Sequence, residues 1–82
     1  MVIAVFNPYF QKLFSKIQDQ AIKNKLIKQF SKIRENPEIG KPMMYLQKGT
    51  REVRVPPFRL SYLYAKEEDK VVCLDLYHKD LQ

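Results

Sequence analysis

Apolar and polar residues alternate with a period of two in residues 52–55 and again in residues 58–62. Val53 and Val55 fall on one side of an extended strand and Glu52 and Arg54 on the other, because strand side chains point alternately to the two faces of a sheet. Beyond Pro56-Pro57 the alternation resumes, with Arg59 and Ser61 on the polar side. The apolar side of this second run carries Phe58, Leu60, Tyr62 and Tyr64. The pattern predicts two strands joined at the prolines.

The connection at Pro56-Pro57 decides which side chains of the two strands face each other. Tight two-residue hairpin loops favour positive φ, which proline cannot adopt. The connection is therefore either wider or contains a cis Pro57. A tight turn would place Arg54 opposite Arg59, and like charges that face each other across a sheet are unfavourable. We therefore expect these two arginines to face an anionic partner.

Helical periodicity precedes the hairpin. Residues 2–6 form a short apolar strand, after which Asn7 has the residue type of an N-cap and Pro8 that of a first helical position. A first helix of about ten residues is predicted from the spacing of its apolar positions. Those positions are Phe10, Leu13, Phe14 and Ile17. A break follows at residues 18–20, where Asp19 can cap a second helix.

The second helix has an apolar and a basic side. It ends at Asn36, because Pro37 disfavours helical conformation in the residue before it. Its apolar stripe consists of Ile22, Leu26, Phe30 and Ile33. The opposite side carries Lys25, Lys28 and Lys32, which form either a solvated face or a stripe that contacts phosphates. The two helices are expected to form a hairpin with an apolar seam.

Gly40 and Pro42 mark the change from helices to sheet, and residues 43–77 are strand-like with turn signals between the strands. The run Val71–Leu74 is apolar on both faces, which favours a central strand. The layout predicts a single α+β domain over residues 1–82. In it, an N-terminal strand and a two-helix hairpin pack on a mostly antiparallel sheet of four to five strands.

The formal net charge of +6 on 82 residues indicates a polyanionic partner, either nucleic acid or an acidic protein; the alternative is a lysine-rich surface that serves solubility alone. Apolar residues make up 45 % of the chain, as in a globular domain, and none of the apolar runs approaches the roughly 20 residues that span a bilayer. Cys73 is the one cysteine and lies in an apolar run, so we expect a buried thiol, no disulfide framework and no metal cluster. These features favour a cytoplasmic protein without cofactor or membrane contact.

Three segments in this order and spacing resemble the RelE/ParE toxin superfamily over nearly the whole chain. They are Gly40-Lys41-Pro42-Met43, then Arg54…Phe58-Arg59-Leu60…Tyr62, then Tyr77-His78-Lys79-Asp80-Leu81. The resemblance implies a RelE-like microbial RNase fold and a toxin of a type II toxin–antitoxin system. RelE-like members cleave messenger RNA in the ribosomal A site and are neutralised by a cognate antitoxin. ParE-like members share the fold but poison DNA gyrase.

The resemblance also assigns candidate site residues. Arg54 resembles the second of two basic residues on the family's second sheet strand, Arg59 the arginine on the next strand, and Lys79 the arginine after the last strand. There are two departures: Glu52 stands where RelE has a lysine, and the sequence up to Gln82 has no counterpart of the late tyrosine. His78 instead resembles the late histidine that some relatives use as an acid or base.

Cleaving RNA without a metal requires a base for the 2′-OH, cations for the phosphorane and an acid for the leaving 5′-oxygen. Arg54 and Arg59 suit the cationic role, because guanidinium groups match phosphate oxygens and stay charged. Histidine titrates near neutral pH, so His78 could act as acid or base, and with Lys79 it is expected to reach across the exposed face toward the arginines. Glu52 is either a base or the ion-pair partner of Arg54 or Arg51.

Further basic and aromatic residues are candidates for contacting RNA. Lys41, Lys48 and Arg51 continue the basic cluster, and Tyr45 and Tyr77 could stack on unpaired bases. Tyr62 and Tyr64 are expected in the core.

The predicted function is a metal-independent endoribonuclease toxin that cleaves ribosome-bound mRNA, leaves 2′,3′-cyclic phosphate ends and inhibits translation. Its expected protein partner is an acidic antitoxin. Two alternatives stay open: a ParE-like toxin that binds a protein target such as DNA gyrase, and a non-enzymatic basic nucleic-acid-binding domain.

Overall fold

The computed structural model describes residues 2–43 and 48–78, in which two helices cover one face of a five-stranded sheet. The elements in chain order are β1 (Ile3–Phe6), α1 (Pro8–Ser15), α2 (Gln20–Glu35), β2 (Lys41–Pro42), β3 (Thr50–Val55), β4 (Phe58–Ala65) and β5 (Lys70–His78), with a single 3₁₀ turn at Lys66–Glu68. No helix in the described part of the chain is long and apolar enough to span a membrane.

The strands lie in the order β1-β5-β4-β3-β2, so β5 lies inside the sheet, as its apolar sequence predicted. β1 pairs in parallel with β5, and the remaining neighbours are antiparallel. The α+β prediction of a mostly antiparallel sheet with a helical hairpin on one side is confirmed.

Both helices begin at the predicted caps. The Asn7 side chain accepts a hydrogen bond from the Phe10 amide at 2.7 Å, and the Asp19 carboxylate accepts one from the Ala21 amide at 2.9 Å. α1 has eight residues rather than about ten, and the buried Ile17 lies beyond its end. α2 ends at Glu35, directly before the residue that precedes Pro37.

The core lies between the helices and the inner face of the sheet, the face that the helices cover. Leu26 and Ile33 of α2 are buried as predicted, and the ring of Phe30 contacts those of Phe10 and Phe14 at the seam between the helices. From the sheet the core receives Val53, Val55, Leu60, Tyr62, Val71, Cys73 and Leu76. Burial raises the pKa of the Cys73 thiol to about 12. The predicted basic side of α2, with Lys25, Lys28 and Lys32, is exposed.

The β3–β4 hairpin turns tightly at Pro56-Pro57, whose peptide bond is cis. Val55 therefore pairs with Phe58 and Arg54 with Arg59, the register that a tight turn predicts. Glu52, Arg54 and Arg59 of this hairpin occupy the outer face of the sheet, the face opposite the helices.

The connection between α2 and β2 is fastened to the sheet by Tyr62, which is fully buried. Its hydroxyl donates to the Pro37 carbonyl at 2.7 Å and accepts from the Gly40 amide at 2.9 Å, and burial raises its pKa. Arg51 donates from Nη1 to the carbonyls of Gly40 at 2.7 Å and Glu38 at 3.0 Å. A Cβ on Gly40 would lie 2.7 Å from the Tyr62 hydroxyl, so this position requires glycine.

Candidate functional site

The outer face presents two arginines side by side, since Arg54 of β3 is the direct cross-strand partner of Arg59 of β4. Arg54 is exposed and makes no ion pair with another described residue. Arg59 is less exposed than Arg54, with 20 % of its side chain accessible to solvent. On β2, the neighbouring strand on the other side of β3, the exposed Lys41 is the cross-strand neighbour of Glu52. The face is thus cationic around one central carboxylate.

That carboxylate, Glu52, has only 16 % of its side chain exposed and is held by two neighbours. Arg59 Nη1 donates to Oε1 at 3.0 Å, and the Tyr77 hydroxyl donates to Oε2. The buried Arg59 Nε–H has no acceptor among the described residues, so Glu52 does not saturate this guanidinium. Glu52 was expected to pair with Arg54 or Arg51 if it served as an ion-pair partner. That assignment of its partner is wrong, because Arg59 is the one it binds.

Tyr77 is positioned by β5, where it is the cross-strand partner of Arg59. Burial and the hydrogen bond to Glu52 raise the pKa of its hydroxyl to about 12. The phenol is therefore neutral at physiological pH and acts as a donor. The sequence pattern indicated Tyr77 only for base stacking and gave no signal of its contact with Glu52. Stacking on a base by its ring stays a prediction.

His78 lies on the other side of the sheet from the arginines. It pairs with Phe58, and the two rings meet edge-on with centroids 5.8 Å apart. The expectation that His78 reaches across the outer face toward Arg54 and Arg59 is wrong. Tyr77 takes the outward position on β5, and the next side chain of a strand must point the opposite way.

The remaining candidates are distributed around this group. Arg51 points to the inner side, where it fastens the α2–β2 connection and makes a 3.8 Å ion pair with Glu38, so the structure does not bring it to the arginine pair. Lys48 is exposed in the turn before β3, at the opposite end of that strand from Arg54. Tyr45 and Lys79 lie outside the described residues.

A shallow depression opens where β2 ends and the edge of β3 is uncovered. The charged residues that line it are Lys41, Glu52, Arg54 and Arg59, and its apolar and amide wall comes from Gln29, Ile39 and Val53. Within residues 2–43 and 48–78, no group of three or more His, Cys, Asp or Glu residues is placed to hold a metal ion. The chemistry that the depression offers is binding of an anion by guanidinium and ammonium groups beside a carboxylate.

Comparison with known proteins agrees with this architecture. Residues 5–80 match the model of the family described as ParE toxin of type II toxin-antitoxin system, parDE. None of the curated proteins matches the sequence.

Solved structures share the fold at low sequence identity. The chain resembles one in the intact Escherichia coli RelBE toxin–antitoxin complex, with 16 % identity and a TM-score of 0.83 over 95 % of this chain and 96 % of that one. It also resembles a chain of the toxin–antitoxin complex RelBE2 from Mycobacterium tuberculosis, with 24 % identity and a TM-score of 0.81 over 95 % and 98 %. For the conserved hypothetical protein HP0894 from Helicobacter pylori the identity is 21 % and the TM-score 0.65 over 98 % and 97 %.

The likeness to these solved structures shows a shared fold, a helical hairpin on one face of a five-stranded sheet. Because the family model covers nearly the whole sequence, the chain belongs to the ParE toxin family of type II toxin–antitoxin systems. The resemblance inferred from the three sequence segments is confirmed, and a cognate antitoxin is the partner that this membership supports.

Proposed function

We propose that this toxin is a metal-independent endoribonuclease that cleaves mRNA on the ribosome, in the cytoplasm, and so inhibits translation. The observation that carries the proposal is the register of Arg54 against Arg59 beside Glu52. Like charges that face each other across a sheet are unfavourable, and Glu52 binds Arg59 but not Arg54, so the pair retains capacity for a further anion, for which guanidinium groups suit a phosphodiester.

The residues of the outer face divide the chemistry among them. Arg54, exposed and unpaired within the described residues, binds the scissile phosphate, and Arg59 stabilises the negative charge of the phosphorane. Glu52 takes the proton of the 2′-OH, whose oxygen then attacks phosphorus while the bond to the 5′-oxygen breaks. Tyr77 positions the Glu52 carboxylate. The proton for the leaving 5′-oxygen is assigned in this proposal to Lys79, which by the resemblance corresponds to the family's arginine after the last strand. The products are a 2′,3′-cyclic phosphate and a 5′-hydroxyl.

Cleavage of a defined mRNA on purified ribosomes, mapped by primer extension, tests the proposal. Arg54→Ala should lower the cleavage rate by about 10²–10³-fold, the usual loss when one group that stabilises transition-state charge is removed. Arg34→Ala is the matched control, because Arg34 is also exposed but lies on α2, and its rate should stay within about twofold of wild type. Equal rates for the two variants, or no cleavage by wild type, would contradict the proposal.

A second candidate function, binding of a protein target such as DNA gyrase without nuclease chemistry, is favoured by the match of residues 5–80 to the ParE toxin family and by the geometry of the outer face. His78 faces away from the arginines and both Glu52 oxygens are engaged, so no unengaged acid–base group lies beside Arg54 within the described residues. A supercoiling assay with purified gyrase separates the two. Loss of supercoiling with intact ribosome-bound mRNA would establish the second function in place of the first.

A further inference from the structure

The ion pair on the outer face has a consequence for how an anion can enter. Arg59 Nη1 is bonded to Glu52 at 3.0 Å, and the two side chains are 20 % and 16 % exposed. A phosphate that approaches Arg59 therefore meets a guanidinium that already holds a carboxylate. We propose that Glu52 is an internal competitor of phosphate for Arg59 and thereby limits the affinity of the toxin for RNA. The inference rests on the proposed function for the choice of RNA as the anion.

Arg54 and Arg59 differ in their availability to an anion, so a phosphate contacts Arg54 first. Arg54 is exposed and has no ion-pair partner among the described residues, so it is available to the first phosphate. Arg59 Nη1 becomes available only when the Glu52 carboxylate leaves it. The buried Arg59 Nε–H has no acceptor in the described part of the chain, so this guanidinium has unused capacity for an anion. Charge-assisted bonds to phosphate can replace the bond that is lost.

Release from Arg59 also changes Glu52. A carboxylate bonded to a guanidinium and to the Tyr77 hydroxyl has both oxygens engaged. When phosphate displaces it from Arg59, the freed oxygen can accept the proton of the 2′-OH. Binding of substrate and freeing of the base are then one event. Removal of the Glu52 charge should strengthen RNA binding and weaken cleavage, two effects of opposite direction from one substitution.

Glu52→Gln keeps the shape of the side chain and removes its charge. Binding is measured by fluorescence anisotropy with a short 2′-O-methyl RNA, which lacks the nucleophile and is not cleaved. The affinity should rise by about tenfold, because a close opposing charge no longer acts on the phosphate site. The slope of log affinity against log salt should steepen by about 0.7, the value for one more phosphate contact with a single strand.

Glu38→Gln is the matched control. It makes the same charge change, but Glu38 is 60 % exposed and pairs with Arg51 on the inner side. Its RNA affinity should change by less than about twofold, since only the net charge of the domain differs. Equal gains in the two variants, or no gain in Glu52→Gln, would overturn the proposal. Cooperative melting of all three proteins above the temperature of the binding assay excludes an effect of misfolding.

A measurement on the wild type keeps the inference testable if Glu52→Gln does not fold. Titration of the labelled protein with inorganic phosphate, followed by NMR, should shift the Glu52 carboxyl carbon and the Arg59 Nε–H together. A shift at Arg54 with none at Glu52 would overturn the proposal. If wild type cleaves mRNA but Glu52→Gln binds no tighter, only the inference fails. If Glu52→Gln binds tighter but no variant cleaves, only the nuclease function fails.

Discussion

Replacing Arg59 by alanine removes the guanidinium from a carboxylate of which only 16 % is exposed. Glu52 would keep the hydrogen bond from Tyr77 but would have lost its cross-strand ion-pair partner. Arg54→Ala, directly across the hairpin, removes an exposed charge that faces a like charge. The two variants have the same change in composition and net charge and should differ in stability.

The exposure of the Arg59–Glu52 pair sets the size of the expected loss of stability. Removing one partner of a fully buried pair costs about 3–5 kcal/mol, and a fully exposed pair contributes at most about 1 kcal/mol. With side chains 20 % and 16 % exposed, the Arg59–Glu52 pair lies between these limits. Arg59→Ala should therefore lower the free energy of unfolding by about 2 kcal/mol, which in a domain of this size lowers the melting temperature by about 10 °C. Arg54→Ala should stay within about 0.5 kcal/mol of wild type.

Urea unfolding followed by circular dichroism measures both variants. The double variant Arg59→Ala/Glu52→Gln should recover about 1 kcal/mol relative to Arg59→Ala, because the stranded charge is then absent. Equal stability of Arg59→Ala and Arg54→Ala would refute the reasoning. The reasoning would also be refuted if the double variant lost as much stability as Arg59→Ala and Glu52→Gln lose together.

Three further outcomes follow from other contacts. Gly40→Ala should lower the free energy of unfolding by about 2–4 kcal/mol, because its Cβ would lie 2.7 Å from the Tyr62 hydroxyl and 3.0 Å from the Arg51 Cβ. Urea unfolding measures this loss, and a value below about 0.5 kcal/mol would contradict the close packing. Burial and the hydrogen bond to Glu52 raise the pKa of Tyr77 to about 12. The neutral phenol therefore contributes stability that is complete below about pH 10 and is lost as the pH rises toward 12. Melting temperatures over that range should fall less in Tyr77→Phe, and an identical fall would contradict the assignment. The proposed acidic antitoxin should associate more slowly as salt rises, because the charge of +6 attracts it over a distance; a salt-independent association rate in stopped-flow mixing would argue against this.

Features that depend on neighbours in sequence could be predicted. The caps at Asn7 and Asp19, the end of α2 before Pro37 and the alternation along β3 and β4 all follow from local conformational preferences. The facing of Arg54 and Arg59 could be predicted too, because it needs only the position of the turn.

Features that depend on long-range register could not be predicted in the same way. The contact of Tyr77 with Glu52 depends on how β4 pairs with β5, a register that no local sequence signal sets. That ladder contains a bulge between Ser61 and Tyr62, which shifts the parity of β5. Counting in steps of two from the apolar run therefore assigns the wrong face to the end of the strand. Once Tyr77 is paired with Arg59, the inward position of His78 follows from alternation alone.

Primer extension on transcripts from cells that express the toxin is the most direct test of the central claim, that the outer face acts on mRNA. Plasmid supercoiling is measured in the same culture. We expect new ends within translated regions, carrying 2′,3′-cyclic phosphates, with normal supercoiling and with no such ends for Arg54→Ala. Intact transcripts together with altered supercoiling in growth-arrested cells would contradict this claim.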